Sequence, residues 1–258
     1  MKRILLLLSI AFLISCSNQP ESGTKAGQEN PESETTSDKN IISEPDAEPG
    51  TVVLEPEQVE LDAKEASFTQ TRDPEIAQLF RQATGAYDQG DYQSGIAYFN
   101  QIVTKEPDNG NAYYNMGVGY FELEKFADAI QAFNQAIMIN PMDPRAINFR
   151  GRVYYLMGDY KNCLYDYARV AKLKPDDPVA YYNLGTAKGR THDYVGAIED
   201  FDKAISYDPE YAEAYYNRGL ANLHRGMLHD ACYDWNKAHG LGHYEAEKAI
   251  KDYCEGGE

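Results

Sequence analysis

Prolines recur at Pro107, Pro141, Pro175 and Pro209, each 34 residues after the last. Small residues keep the same interval at Ala83, Gly117, Gly151, Gly185 and Gly219. A second small column runs through Gly95, Ala129, Cys163, Ala197 and Ala231, and rings follow four positions later at Phe99, Phe133, Tyr167, Phe201 and Trp235. Several columns locked to one period mark a repeat architecture. In such a fold one small unit cannot bury its apolar face alone and stacks on copies of itself.

Each unit reads as two short helices. In residues 110–143, Ala112, Tyr113, Met116, Gly117 and Tyr120 form one apolar face at helical spacing, and Ala129, Ile130, Phe133, Ala136 and Ile137 form a second. A turn is expected between them near Glu124, and more clearly at Gly90-Asp91 and Gly158-Asp159 in neighbouring units. Proline then ends the second helix. Asp73-Pro74, Asp143-Pro144 and Asp177-Pro178 each supply a capping acceptor and a first-turn proline for the helix that follows. The small columns let paired helices approach, and the aromatic column fills the space beside them.

Three segments carry the family signal: Ala112-Tyr113-Tyr114-Asn115-Met116-Gly117, Ala180-Tyr181-Tyr182-Asn183-Leu184-Gly185 and Ala214-Tyr215-Tyr216-Asn217-Arg218-Gly219. They resemble the tetratricopeptide repeat family. The resemblance implies an all-α, right-handed α-solenoid of about five helix-turn-helix repeats, with units at about 76–109, 110–143, 144–177, 178–211 and 212–245. Ala246, Ala249, Ile250 and Tyr253 then predict a capping helix over 244–254, which would cover the exposed end of the stack.

The family implies a concave groove lined by the first helix of each unit, where a protein or extended peptide binds. Tyr113, Tyr181 and Tyr215 align with core positions and are expected to pack inward. Tyr114, Tyr182 and Tyr216 point about 100° away and are expected to face the groove, with Asn115, Asn183 and Asn217 beside them as donors and acceptors for a peptide backbone. Arg145, Asn148 and Arg152 in the third unit, with Arg190 in the fourth, are expected to meet an acidic side chain or a chain-terminal carboxylate. The family's carboxylate clamp is matched only in part, by Asn115 and Arg145. Phe80, Thr84 and Phe149 occupy other clamp positions, which argues against chaperone-tail recognition. The same tyrosines and asparagines also fit a purely structural role in the stack.

Charge divides the chain of 258 residues, whose net charge is −17. Lys2 and Arg3 precede an apolar run from Ile4 to Ile14 that is too short to span a bilayer. It ends at Leu13-Ile14-Ser15-Cys16, which resembles the bacterial lipobox. Residues 1–15 are therefore expected to be a lipoprotein signal peptide, with Cys16 the lipidated residue and the membrane a partner through that lipid. Ser17 in place of aspartate favours the outer membrane over the inner. Residues 17–72 hold 13 acids, 4 bases and a single aromatic, Phe68. With Cys16 they are expected to form a disordered acidic tether over 16–72. The repeat domain is assigned to 73–258, facing the periplasm or the cell surface.

Such an acidic chain is not expected to bind nucleic acid, which demands many cationic contacts to phosphate. Beyond Cys16 and Cys163, Cys232 and Cys254 fall on elements expected to touch. A Cys232–Cys254 disulfide and a pair of packed free thiols are the two readings. His224, His229, His239 and His243 lie at the same end, and surface or loop positions are expected for them. No nucleophile elbow, phosphate loop or metalloprotease motif occurs. No cofactor, catalytic residue or metal ligand is therefore assigned, and the chain is read as a non-enzymatic scaffold or adaptor in the bacterial cell envelope. Two alternatives stay open: a self-assembling structural envelope protein with an occluded groove, in which a second copy is the partner, and a metal-binding or enzymatic role at the C-terminal His/Cys cluster.

Overall fold

The structure is a computed structural model that describes residues 73–255. The expected signal peptide, Cys16 and the acidic tether lie outside the described residues. Eleven helices make up the described part. They are α1 (Pro74–Asp88), α2 (Tyr92–Lys105), α3 (Gly110–Glu122), α4 (Phe126–Ile139), α5 (Pro144–Leu156), α6 (Tyr160–Leu173), α7 (Pro178–Arg190), α8 (Tyr194–Tyr207), α9 (Ala212–His224), α10 (Leu228–Gly240) and α11 (Ala246–Tyr253). The first ten form five antiparallel pairs, and α11 packs on α10. None of the described helices is long and apolar enough to cross a membrane.

Local chemistry sets the helix ends. The carboxylates of Asp73, Asp143 and Asp177 accept from the amides of Glu75, Arg145 and Val179 at 2.8, 3.0 and 3.0 Å, each ahead of a proline at the first helical position. At the other end, Glu106, Asn140, Lys174 and Asp208 leave the helical region one residue before Pro107, Pro141, Pro175 and Pro209. The proline ring disfavours helical backbone in the residue before it. Within each pair the chain reverses through a residue of positive φ, at Gly90, Glu124, Gly158, His192 and Gly226. That column also has the period of the array, although two of its members are not glycine.

The paired helices meet through the small columns. A Cβ added at Gly117 would lie 2.5 Å from the Phe133 ring, and one at Gly219 would lie 2.6 Å from the indole of Trp235. Phe99, Phe133, Tyr167, Phe201 and Trp235 are all buried, and Ala129, Cys163, Ala197 and Ala231 are buried beside them. Burial holds the Cys163 thiol far above its ordinary pKa, so it behaves as a small apolar side chain.

Each second helix packs on the first helix of the next unit. First helices also touch one another, α3 against α5 and α7 against α9, whereas no two second helices approach as closely. This asymmetry places the first helices on the inner side of the array.

The cap is covalent. Cys232 on α10 and Cys254 after α11 form a disulfide with a Cα–Cα distance of 5.8 Å across 22 residues of sequence. Ala249, Ile250 and Tyr253 of α11 cover Leu220 and Trp235. A helix of 8 residues is too short to persist without such support. Replacing both cysteines with serine is expected to lower stability by about 3 kcal/mol, the chain-entropy value for a loop of this size. The urea midpoint of the variant reads this, and a midpoint equal to the parent's would show that packing alone holds the cap.

Candidate functional site

The inner face is built by α1, α3, α5, α7 and α9, but much of what the sequence assigns to it is packed away. Tyr114 is 2% exposed and Tyr182 is 1% exposed. Tyr114 lies edge-on to Phe149 at 5.7 Å between ring centroids, with Phe133 at 6.1 Å. Tyr182 lies against Phe201 and Tyr211. Both are corrected from groove residues to core residues. The supposed core column is the less buried one: Tyr181 stacks on Tyr207 at 5.9 Å and carries the Lys203 ammonium over its ring. The reason is the stacking of units. A residue that points 100° from the pair interface of its own unit points at the next unit, which covers it.

The asparagines follow the same rule and are likewise corrected. Asn115, Asn183 and Asn217 are buried, and their amides serve the array itself. Asn183 Nδ2 donates to Asn148 Oδ1 at 3.2 Å, and Asn217 Nδ2 donates to the Tyr182 hydroxyl at 3.0 Å, each across a unit boundary. Asn115 Nδ2 returns to the Asn111 carbonyl at 2.8 Å, while the Asn115 carbonyl accepts from the Tyr87 hydroxyl of the preceding unit. Tyr216 is half-buried and stacks on His243 at 4.2 Å, because the turn before the cap stands where a further unit would be. Burial pushes its hydroxyl up to about 12.

Four polar residues of the predicted set stay half-buried on this face: Arg145, Asn148, Arg152 and Arg190. Arg145 is already engaged. Its Nη2 donates to Asp143 Oδ2 at 2.8 Å and to Asn111 Oδ1 at 3.0 Å, and its guanidinium lies 4.9 Å from the Tyr114 ring centre. Arg190 Nε donates to the Tyr160 hydroxyl at 3.0 Å, beside the Tyr155 ring. Arg152 lies over Phe121 at 4.6 Å. Loss of hydration works against its charge, with Tyr167 and Glu122 partly restoring it.

Sequence reasoning missed a second polar column. Asp166, Asp200 and Asp234 recur every 34 residues on the second helices and are all buried. Arg150 grips Asp166 with two nitrogens at 2.6 and 2.8 Å, Arg218 grips Asp234 at 2.6 and 3.0 Å, and Lys188 meets Asp200 at 2.6 Å. Their shared period was the available signal. Acids on amphipathic helices normally face water, and this one hid their burial.

At the C-terminal end, His229 and His239 are exposed, His224 stacks on Tyr194 and His243 on Tyr216. Among the described residues no three His, Cys, Asp or Glu side chains are grouped to hold a metal ion.

Comparison with known proteins identifies the repeats. Residues 86–153 match a family described as tetratricopeptide repeat, and residues 151–191 and 193–226 match one described as TPR repeat. No curated protein matches the sequence. Among solved structures, MamA (residues 41 to end) from Desulfovibrio magneticus RS-1 is 22% identical with a TM-score of 0.63, over 66% of this chain and 97% of that one. YrrB, described as a TPR protein with an unusual peptide-binding site, is 20% identical with a TM-score of 0.61, over 75% of this chain and 97% of that one. At these identities the likeness is one of fold.

Proposed function

We propose, for a chain built of tetratricopeptide repeats, that the inner helix face holds a protein or extended peptide and that the chain acts as an adaptor without chemistry of its own. The observation that carries this reading is the row of half-buried polar side chains, Arg145, Asn148, Arg152 and Arg190, on a face formed only by first helices. Arg145, Asn148 and Arg190 also bond within the array, but the row as a whole presents polar groups along the inner face, where a bound segment needs donors. The peptide-binding site described for YrrB, on the same fold, is consistent with it.

The setting we propose is the bacterial cell envelope. Lipid on Cys16 anchors the chain, more readily in the outer membrane than the inner, and the acidic stretch up to residue 72 spaces the repeats from the surface. A photo-crosslinking residue at Asn148 in living cells is expected to give discrete protein adducts, with none from the same residue at Tyr165 on the outer side. Equal adducts from both positions, or none from either, would refute an inner-face site. Cys16→Ala is expected to abolish labelling by a palmitate analogue and to move the chain out of the membrane fraction. Retention of both would refute the anchor.

A further inference from the structure

Most of the half-buried cations of the array have a partner. Arg145 has Asp143, Arg150 has Asp166, Lys188 has Asp200 and Arg218 has Asp234, each within ion-pairing distance. Arg169 donates to the Pro141 carbonyl and Arg190 to the Tyr160 hydroxyl. Arg152 differs. Among the described residues it makes no hydrogen bond and no ion pair, and its one close polarisable contact is the face of Phe121. A ring face steadies a guanidinium from one side but satisfies none of its five N–H donors.

The surroundings of Arg152 add further donors. Asn148 lies one helical turn earlier on α5 and so shares its face. The Oδ1 of Asn148 is taken by Asn183, which turns its Nδ2 into a donor without an acceptor among the described residues. The Tyr167 hydroxyl is fully buried and has no hydrogen-bond partner. It is close enough to Arg152 for the cation to favour its ionised form against the desolvation that opposes it. Arg152 and the Asn148 Nδ2 are thus half-buried donors with no acceptor within hydrogen-bonding reach among the described residues, beside a fully buried Tyr167 hydroxyl. Glu122 acts on the cation only at a distance, so an anion arriving on the inner face would find both donors open.

We infer that Arg152, with Asn148, forms an anion subsite on the inner face that receives the carboxylate of an internal aspartate or glutamate of the bound segment. This deepens the proposed recognition role and rests on it. A planar carboxylate matches the fork of a guanidinium, and Phe121 leaves the edge of that fork open. Arg152 belongs to the third of five units, so the inner face continues on both sides of it. A ligand would pass through the site rather than end there, which favours a side chain over a chain terminus. The ligand is thus an extended acidic peptide, selected by local charge although the repeats as a whole are negative.

The test uses the full chain and capped, fluorescently labelled, degenerate peptide pools whose central residue is fixed as glutamate or as glutamine. A third pool has an uncharged centre and a free C-terminal carboxylate. Fluorescence anisotropy is expected to show the glutamate pool binding about ten- to a hundredfold tighter than the glutamine pool, the range of a charge-assisted hydrogen bond. Arg152→Met, which keeps an unbranched apolar stem on Phe121, is expected to abolish that preference, so that the glutamate and glutamine pools bind alike. Asn148→Ala removes the neighbouring donor without touching the cation and is expected to shrink the preference, so the idea stays testable should Arg152→Met fail to fold. Binding of both capped pools with equal affinity overturns the subsite and leaves the recognition role standing. Tighter binding of the free-terminus pool overturns the internal register. Binding of no pool overturns the recognition role itself.

Discussion

Phe133→Ala is expected to lower the unfolding free energy by about 3–5 kcal/mol, the usual range for deleting a buried aromatic ring. Phe133 has no exposed surface, stacks on Phe149 at 5.8 Å and occupies the space that Gly117 leaves open. Phe149 belongs to the next unit, so the cavity would open across a unit boundary as well as within a pair. Repeat arrays derive their cooperativity from such neighbour interfaces. The variant should therefore show a broadened urea transition by circular dichroism as well as a lower midpoint. A loss below about 1 kcal/mol would mean that neighbouring rings collapse into the space, and that the aromatic column is not what couples the units.

Arg218→Ala is expected to cost a similar amount, about 3–5 kcal/mol, for a different reason. It strands the Asp234 carboxylate, whose side chain is 2% exposed, without its bidentate partner. It also releases Asp202, which is half exposed and contributes little. Replacing Arg218 with methionine and Asp234 with leucine together should restore most of the loss, because a stranded charge costs more than the pair contributes. The pH dependence has a definite sign. Burial already pushes the Asp234 carboxyl upward, and Arg218 and Asn222 pull it back. Without Arg218 the folded-state value rises further above the unfolded one. A carboxylate raised on folding penalises the native state above its folded pKa, and the penalty fades as pH falls through that value. The gap in urea midpoint between Arg218→Ala and the parent should thus be widest near neutrality and narrow on mild acidification. A gap that widens toward acid would refute the stranded carboxylate as its cause.

Aspartates at 166, 200 and 234 stand among many acids that do face water, and composition cannot separate the two kinds. Their burial depends on Arg150, Lys188 and Arg218 reaching them from the first helices. In two units that reach is 16 residues, but Lys188 spans only 12 because it stands one turn later than the arginines. The pairing residue is therefore less periodic than the acid. The two tyrosine columns exchanged roles for a related reason. Adjacent residues on one helix point about 100° apart, and sequence shows that they differ in direction without showing what waits there. At Tyr114 it is Phe149 of the next unit, whereas at Tyr216 it is His243 of the closing turn.

What is local and periodic is legible in the order of the residues. The 34-residue columns specified helix pairs, the prolines and aspartates specified where helices stop and start, and glycine facing an aromatic ring specified how closely a pair packs. These depend on bonds and contacts within one unit, which every unit repeats. Tertiary structure decided what lies between units: which tyrosines are buried, which asparagines bind the array together and which arginines find a carboxylate. Arg145 and Arg152 stand two helical turns apart on one helix face, yet one is bound by Asp143 and Asn111 and the other has neither. Asp143 reaches Arg145 from two residues away at the start of its own helix, and Asn111 reaches it from the preceding unit, which only the stacking of units could supply.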